Sequence, residues 1–112
     1  MVLSRREQWR ILFGKVVKYF VLNRKNVEGQ IDGGVVYGFG SALSEELRTE
    51  NGRTLNASLT DYRMPRSGDA FDIEKSVLEV PSKYGPFGAR GIGEPPTVPV
   101  AAAINNAIYD AV

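Results

Sequence analysis

Apolar residues at Ile31, Val35, Phe39, Ala42 and Leu43 recur with the three-and-four spacing of one helical face. They lie in VEGQIDGGVVYGFGSALSEEL, residues 27–47, which also carries Gly29, Gly33, Gly34, Gly38 and Gly40. A glycine inside a helix costs roughly 1 kcal/mol relative to alanine. Five of them are retained only where another backbone or a ligand must come close. The pattern therefore predicts a Gly-rich helix packed against something large, with residues 41–47 as its polar last turns. A second helical pattern closes the chain, through Val100, Ala101, Ala102, Ala103, Ile104, Ala107, Ile108 and Ala111. Thr97 is its expected cap and Pro99 its first-turn proline. This pattern runs to Val112 without a capping glycine, so the helix is expected to end with the chain or to be cut short.

Between the helices the period changes. Asn51-Gly52 is a strong short hairpin signal and is expected to join 48–50 to 53–56. Residues 61–65 read as a short extended piece stopped by Pro65. Phe71, Ile73, Val77, Leu78 and Val80 suggest a strand over 71–80, ended by Pro81. PSKYGPFGARGIGEPP, residues 81–96, holds four glycines and four prolines and reads as loop. A loop of that length is often functional. Upstream, Trp9, Leu12, Val16 and Phe20 fit a helical stripe, but Gly14 interrupts it and residues 16–21 are rich in strand formers. Two short strands near 8–13 and 15–22, or one bent strand, fit better. The fold class is α+β: a small, fragment-like domain with a Gly-rich helix, a short β-hairpin or sheet, a long Gly/Pro loop and a C-terminal helix.

Composition narrows the chemistry. The chain has neither cysteine nor histidine. Disulfides, thiolate metal sites and imidazole bases are thereby excluded within it. No protein metal ligand set is expected. Acid–base work falls to carboxylates, Lys, Tyr or a bound cofactor. The net charge of +1 conceals an asymmetry: residues 1–26 carry seven positive side chains and one negative, the remainder seven and twelve. Arg5, Arg6, Arg10 and Lys15 are scattered among aromatics without a nucleic-acid motif, so a solvated basic edge is expected and no nucleic-acid partner. No apolar run is long enough to cross a membrane, and the N-terminus lacks the plan of a signal peptide. No membrane partner and a cytoplasmic location are expected.

Glu94 is the candidate catalytic group. In Gly91-Ile92-Gly93-Glu94-Pro95-Pro96 a single carboxylate stands between flexible glycines and rigid prolines. Physics alone leaves two readings: a tuned base, or an acid favoured by the start of the following helix. The sequence resembles a family at this point. Phe87-Gly88-Ala89-Arg90-Gly91-Ile92-Gly93-Glu94-Pro95-Pro96-Thr97 is similar to the loop near the end of the molybdopterin-binding large subunit of the xanthine dehydrogenase, aldehyde oxidase and carbon monoxide dehydrogenase family, the molybdenum hydroxylases. Residues 27–36 and 38–47 resemble that subunit's Gly-rich helix, and 55–65 a third stretch in the same order. The resemblance covers about residues 21–112. Residues 1–26 then form a diverged basic N-terminal strand segment, and 27–112 the C-terminal molybdopterin-binding-type region. The N-terminal stretch departs from the family: Arg24 stands where proline is usual, Val17 and Tyr19 where Asp and Gly are usual, and Tyr37 where glutamine is common.

The resemblance implies hydroxylation of aldehydes or N-heterocycles on a molybdenum–pterin cofactor, with Glu94 taking the proton from a molybdenum-bound hydroxyl. Gln30 aligns with a glutamine near the cofactor, and Gly29, Gly33 and Gly93 allow its close approach. The family subunit is several times longer, so this chain is expected to supply one wall of a site and to bind no cofactor alone. Its partners would be other segments or subunits of such a hydroxylase: cofactor-binding, iron–sulfur and flavin. Apolar faces left uncovered favour a homo-oligomer. An inactive remnant, or a protein-interaction module that keeps only the fold, are the alternatives.

Overall fold

The computed structural model describes residues 17, 18 and 21–112. The segment 8–13, residues 15, 16, 19 and 20 of the segment 15–22, and the basic cluster at 5–15 lie outside the described residues. In chain order the elements are β1 (Val17–Lys18), α1 (Arg24–Leu43), β2 (Thr49–Glu50), β3 (Arg53–Thr54), β4 (Val77–Leu78) and α2 (Val100–Ala111). Two short sheets form. β1 pairs with β4 in parallel, Val17 opposite Val77 and Lys18 opposite Leu78. β2 and β3 form the antiparallel hairpin, Thr49 opposite Thr54 and Glu50 opposite Arg53. The α+β order read from the sequence is the order found.

α1 begins before the Gly-rich stretch. Asn23 caps it, its side-chain oxygen accepting from the Asn26 amide at 3.1 Å. This satisfies one of the unpaired amides of the first turn. Val27, Ile31 and Val35 form the buried stripe. The expected helix end at 41–47 is corrected: α1 stops at Leu43. The Ser44 and Glu45 amides both donate to the Gly40 carbonyl at 2.9 Å, and the Ser44 hydroxyl reaches the same oxygen at 3.3 Å. Three donors on one carbonyl turn the chain away before Glu46 can continue the helix.

α2 crosses α1 where α1 has no side chains. A Cβ added to Gly38 would stand 2.6 Å from the Val100 Cβ, and one on Gly34 2.7 Å from the Pro96 Cβ. Real Cβ atoms do not approach so closely, so both positions require glycine. The approach seals Val100 and Ile104 completely (0% exposed) against Val27, Ile31 and Val35. Phe39, Phe71, Ile73, Val77 and Ile92 pack around this cluster. The expected capping by Thr97 is also corrected. Pro99 holds the cap position and no side chain caps the helix. A run of turns leads in instead, with Thr97 N donating to Glu94 O (2.8 Å) and Val100 N to Thr97 O (3.2 Å). The Thr97 hydroxyl is pressed against Gly34, where an added Cβ would stand 3.3 Å from it.

The strand expected over 71–80 is reduced to Val77–Leu78. Phe71 leaves it to meet Phe39, ring centroids 5.3 Å apart. Lys75 leaves it to clamp both oxygens of Asp32 on α1 at 2.7 Å. The hairpin turn is as expected: Asn51 and Gly52 both take positive φ, 48° and 79°. Residue 61 belongs to a turn over 58–62 rather than to an extended piece, closed by the Asp61 and Tyr62 amides on the Ser58 carbonyl. Asn56, buried at 3% exposure, ties the hairpin base to the end of α1. Its oxygen accepts from Arg48 N (2.9 Å) and its Nδ2 donates to Glu46 O (2.6 Å).

Two glycine substitutions separate packing from helix propensity. Gly38→Ala should lower unfolding free energy by about 1–3 kcal/mol through overpacking against Val100. Gly33→Ala, whose Cβ meets nothing within 4 Å, should be neutral or stabilising by up to about 1 kcal/mol. Urea unfolding of the two variants measures both, and equal losses would contradict this account of the helix contact.

Candidate functional site

The loop 91–94 lies against the first half of α1. The Gln30 Nε2 donates to the Ile92 carbonyl at 3.4 Å, a long hydrogen bond on an exposed side chain. Ile92 is half-buried against the core. Gln30 and Ile92 thus tie the segment two residues before Glu94 to the helix, while Glu94 itself stays exposed. Pro96 on Gly34 fixes the other side of the loop. Sequence reasoning had placed Gln30 and Glu94 in one site, and the fold brings their segments together.

The glycines divide into two groups. Gly34, Gly38 and Gly40 are filled by the protein itself; the Glu45 carboxylate and the Pro65 ring occupy the space beside Gly40. At Gly29, Gly33, Gly91 and Gly93 an added Cβ would meet nothing within 4 Å. Gly29 and Gly33 are one helical turn apart, and Gly91 and Gly93 flank Ile92. The expected close-approach glycines are therefore open to solvent while the other group makes the core.

Glu94 is exposed. Among the described residues its carboxylate has no hydrogen-bond or ion-pair partner, and its backbone carbonyl accepts from Thr97. The arrangement offers a free carboxylate and an amide beside an uncovered glycine surface. Neither a cleft of about 280 Å³ lined by Ser44, Glu46, Arg48, Asn56, Asp61 and Arg63 nor a second one beside Phe39 and Met64 includes these residues. Among the described residues no group of three or more His, Cys, Asp or Glu is placed to hold a metal, and no helix is long and apolar enough to cross a membrane.

One titrating contact escaped the sequence reading. The Tyr62 hydroxyl donates to Glu45 Oε2 at 2.9 Å. That bond, then burial, then the charges of Glu45 and Tyr37, raise the phenol above its usual value of 10.0. No short motif marks this pair, whose members are 17 positions apart.

Residues 20–71 match the molybdopterin cofactor-binding domain family. The chain is 40% identical over 90 residues to the xanthine dehydrogenase molybdenum-binding subunit of Escherichia coli O157:H7, covering 79% of this chain and 12% of that protein. It is 35% identical over 91 residues to the carbon monoxide dehydrogenase large chain of Afipia carboxidovorans, covering 80% of this chain and 11% of that one. The solved quinoline 2-oxidoreductase of Pseudomonas putida 86 superposes with a TM-score of 0.80 at 35% identity, over 88% of this chain and 13% of that chain. The chain thus spans about an eighth of the length of the relatives it matches.

Two measurements test the local geometry. Gln30→Ala should lower the backbone order parameters over 91–94, because the bond to the Ile92 carbonyl is lost, and unchanged order parameters would deny the tether. For Tyr62, the folded value lies above the unfolded one, so its contribution to stability is complete below pH 10 and is lost as pH rises through the folded value. In an ultraviolet phenolate titration, one of the five tyrosines should ionise after the rest, and Tyr62→Phe should remove that late step.

Proposed function

By sequence and fold the chain is related to a segment of the molybdenum-binding subunit of the xanthine dehydrogenase and carbon monoxide dehydrogenase family, and on that premise we propose that it forms one wall of a molybdenum–pterin site in an assembled hydroxylase. The observation that carries the reading is the Gln30–Ile92 hydrogen bond. It joins the loop of Glu94 to a helix surface whose glycines, Gly29 and Gly33, are open. A large planar ligand needs such a surface, because each Cβ would hold it away from the backbone. Gly93 extends that surface onto the loop. The residues present fit one face of the group.

When bound, the molybdenum–pterin group supplies the two-electron oxygen-transfer chemistry of the family. The chain's own residues then have separate roles. Glu94 accepts a proton at a carboxylate oxygen, which it can do because no side chain among the described residues occupies it. Gln30 offers both a donor and an acceptor; with its Nε2 on the Ile92 carbonyl, its oxygen would be left to help hold the group. Pro95 and Pro96 keep Glu94 out of helical geometry and fix its direction.

The partner is a polypeptide bearing the remaining cofactor-binding region, with iron–sulfur and flavin subunits in the complete assembly. Leu59, Tyr84, Phe87, Val98 and Tyr109 are 79–97% exposed, surface that such a partner would cover. Tyr84 and Phe87 belong to the same loop as Glu94, so assembly would enclose the carboxylate together with these rings. Self-association is the competing use of that surface.

In an assembled, cofactor-loaded complex, Glu94→Gln should lower kcat by about 10²- to 10⁴-fold, the usual contribution of a general base, while metal content and assembly stay normal. Gly33→Ala should do the reverse: fold normally but retain less molybdenum. Full turnover by Glu94→Gln would remove the base assignment. A homo-oligomer that binds no cofactor with any partner chain would support an interaction module instead.

A further inference from the structure

Asn51-Gly52 carries a chemistry separate from the turn it forms. Six asparagines are present, at 23, 26, 51, 56, 105 and 106, and only Asn51 is followed by glycine. Both residues of the turn are exposed. Among the described residues the Asn51 carboxamide has no hydrogen-bond partner, and the Gly52 amide donates to no backbone carbonyl. Apart from its own two chain neighbours, no residue comes within 4 Å of where a Gly52 Cβ would stand. An unpaired electrophile and an unpaired, unhindered nucleophile are therefore adjacent at the tip of the hairpin.

We propose that Asn51 is a site of spontaneous deamidation and backbone isomerisation. The deprotonated Gly52 nitrogen attacks Asn51 Cγ. A Cγ–N bond forms to give a tetrahedral centre, the Cγ–Nδ2 bond breaks, and ammonia leaves with a proton from water. The product is a five-membered succinimide. Water then opens the ring. Cleavage at Cγ returns a normal backbone carrying a carboxylate. Cleavage at the main-chain carbonyl leaves the chain running through Cγ, as iso-aspartate. The net change is one water taken up and one ammonia released, with no oxidation.

The fold sets the rate by what it protects. Attack requires ψ and χ1 of Asn51 to bring the Gly52 nitrogen onto Cγ; the ladder beside the turn has only two residue pairs, with Thr49, Glu50 and Arg53 exposed, and the Leu55–Arg48 and Asn56 bonds hold the hairpin at its base, away from the tip. A ladder this short opens readily. The Asp32-Gly33 pair is the contrast within the same chain. It lies inside α1, and both oxygens of Asp32 are held by Lys75 at 2.7 Å. The other asparagines are followed by residues whose side chains hinder the attacking nitrogen, and Asn56 is clamped at both ends. The product has structural weight. Iso-aspartate adds a backbone atom inside a two-residue turn whose φ values fit only the original spacing. The Glu50–Arg53 register cannot survive it.

The test is a time course of the full chain at mildly alkaline pH, followed by peptide mapping with mass detection and by ammonia release. The Asn51 peptide should convert at least roughly tenfold faster than any other asparagine peptide, a barrier difference of about 1.4 kcal/mol. Its rate should rise in proportion to hydroxide, and Asn51→Gln should abolish the burst of ammonia. The same measurement in urea separates sequence from fold. Native and denatured rates within the same order of magnitude sustain the proposal. Conversion only in urea, or an Asn51 rate no greater than that of the other asparagines, overturns it.

Discussion

The contact between Gly38 and Val100 is the constraint on which the rest of the structure depends. Two helices can bury Val100 and Ile104 fully only if their backbones nearly touch. That requires glycine at 34 and 38 on one helix and small or β-branched residues at the start of the other. The same approach brings Pro96 onto Gly34, which sets where the preceding loop lies. Gln30 and Ile92 then meet as a consequence. The position of Glu94 is thus inherited from the packing of α1 on α2, and loop sequence alone would not fix it.

This division explains why α1 is so rich in glycine. A helix with glycine at 29, 33, 34, 38 and 40 loses several kilocalories of propensity. Part of that loss is offset inside the chain, where Gly34, Gly38 and Gly40 admit Pro96, Val100 and Pro65. The other part, at Gly29 and Gly33, gains no contact within the chain. One helix therefore shows an internal interface on one side and an uncovered one on another, separated by a single residue step between Gly33 and Gly34.

Much of this architecture was legible in the sequence. The apolar spacing located both helices, Asn51-Gly52 located the hairpin, and the Gly/Pro segment was read as loop. The candidate residues Gln30 and Glu94, 64 positions apart in the chain, were grouped by resemblance, and their segments meet in space. What was missed depends on contacts that are distant in sequence. The end of α1 is set by three donors converging on Gly40 O, although Glu45 and Glu46 read as good helix formers. The strand over 71–80 pairs only at Val77–Leu78, while Phe71 and Lys75 have their partners on α1. The Tyr62–Glu45 bond and the clamping of Asn56 leave no periodic trace. Local preference loses at each of these places to a tertiary partner that no window of sequence contains.

The parallel pairing of Val17 with Val77 also governs how the chain must find its fold. Parallel strands cannot be joined by a tight turn. α1, the hairpin and the segments after it must all be spooled between the two halves of that small ladder. The helix contact is similarly remote, since Gly38 and Val100 are 62 positions apart. Only the hairpin and the individual helical turns can form from neighbours. Loop-closure entropy must therefore be met before these core contacts offset it, an arrangement that disfavours fast folding. Without Val100 in place the glycine helix, weak by composition, lacks the packed neighbour that stabilises it.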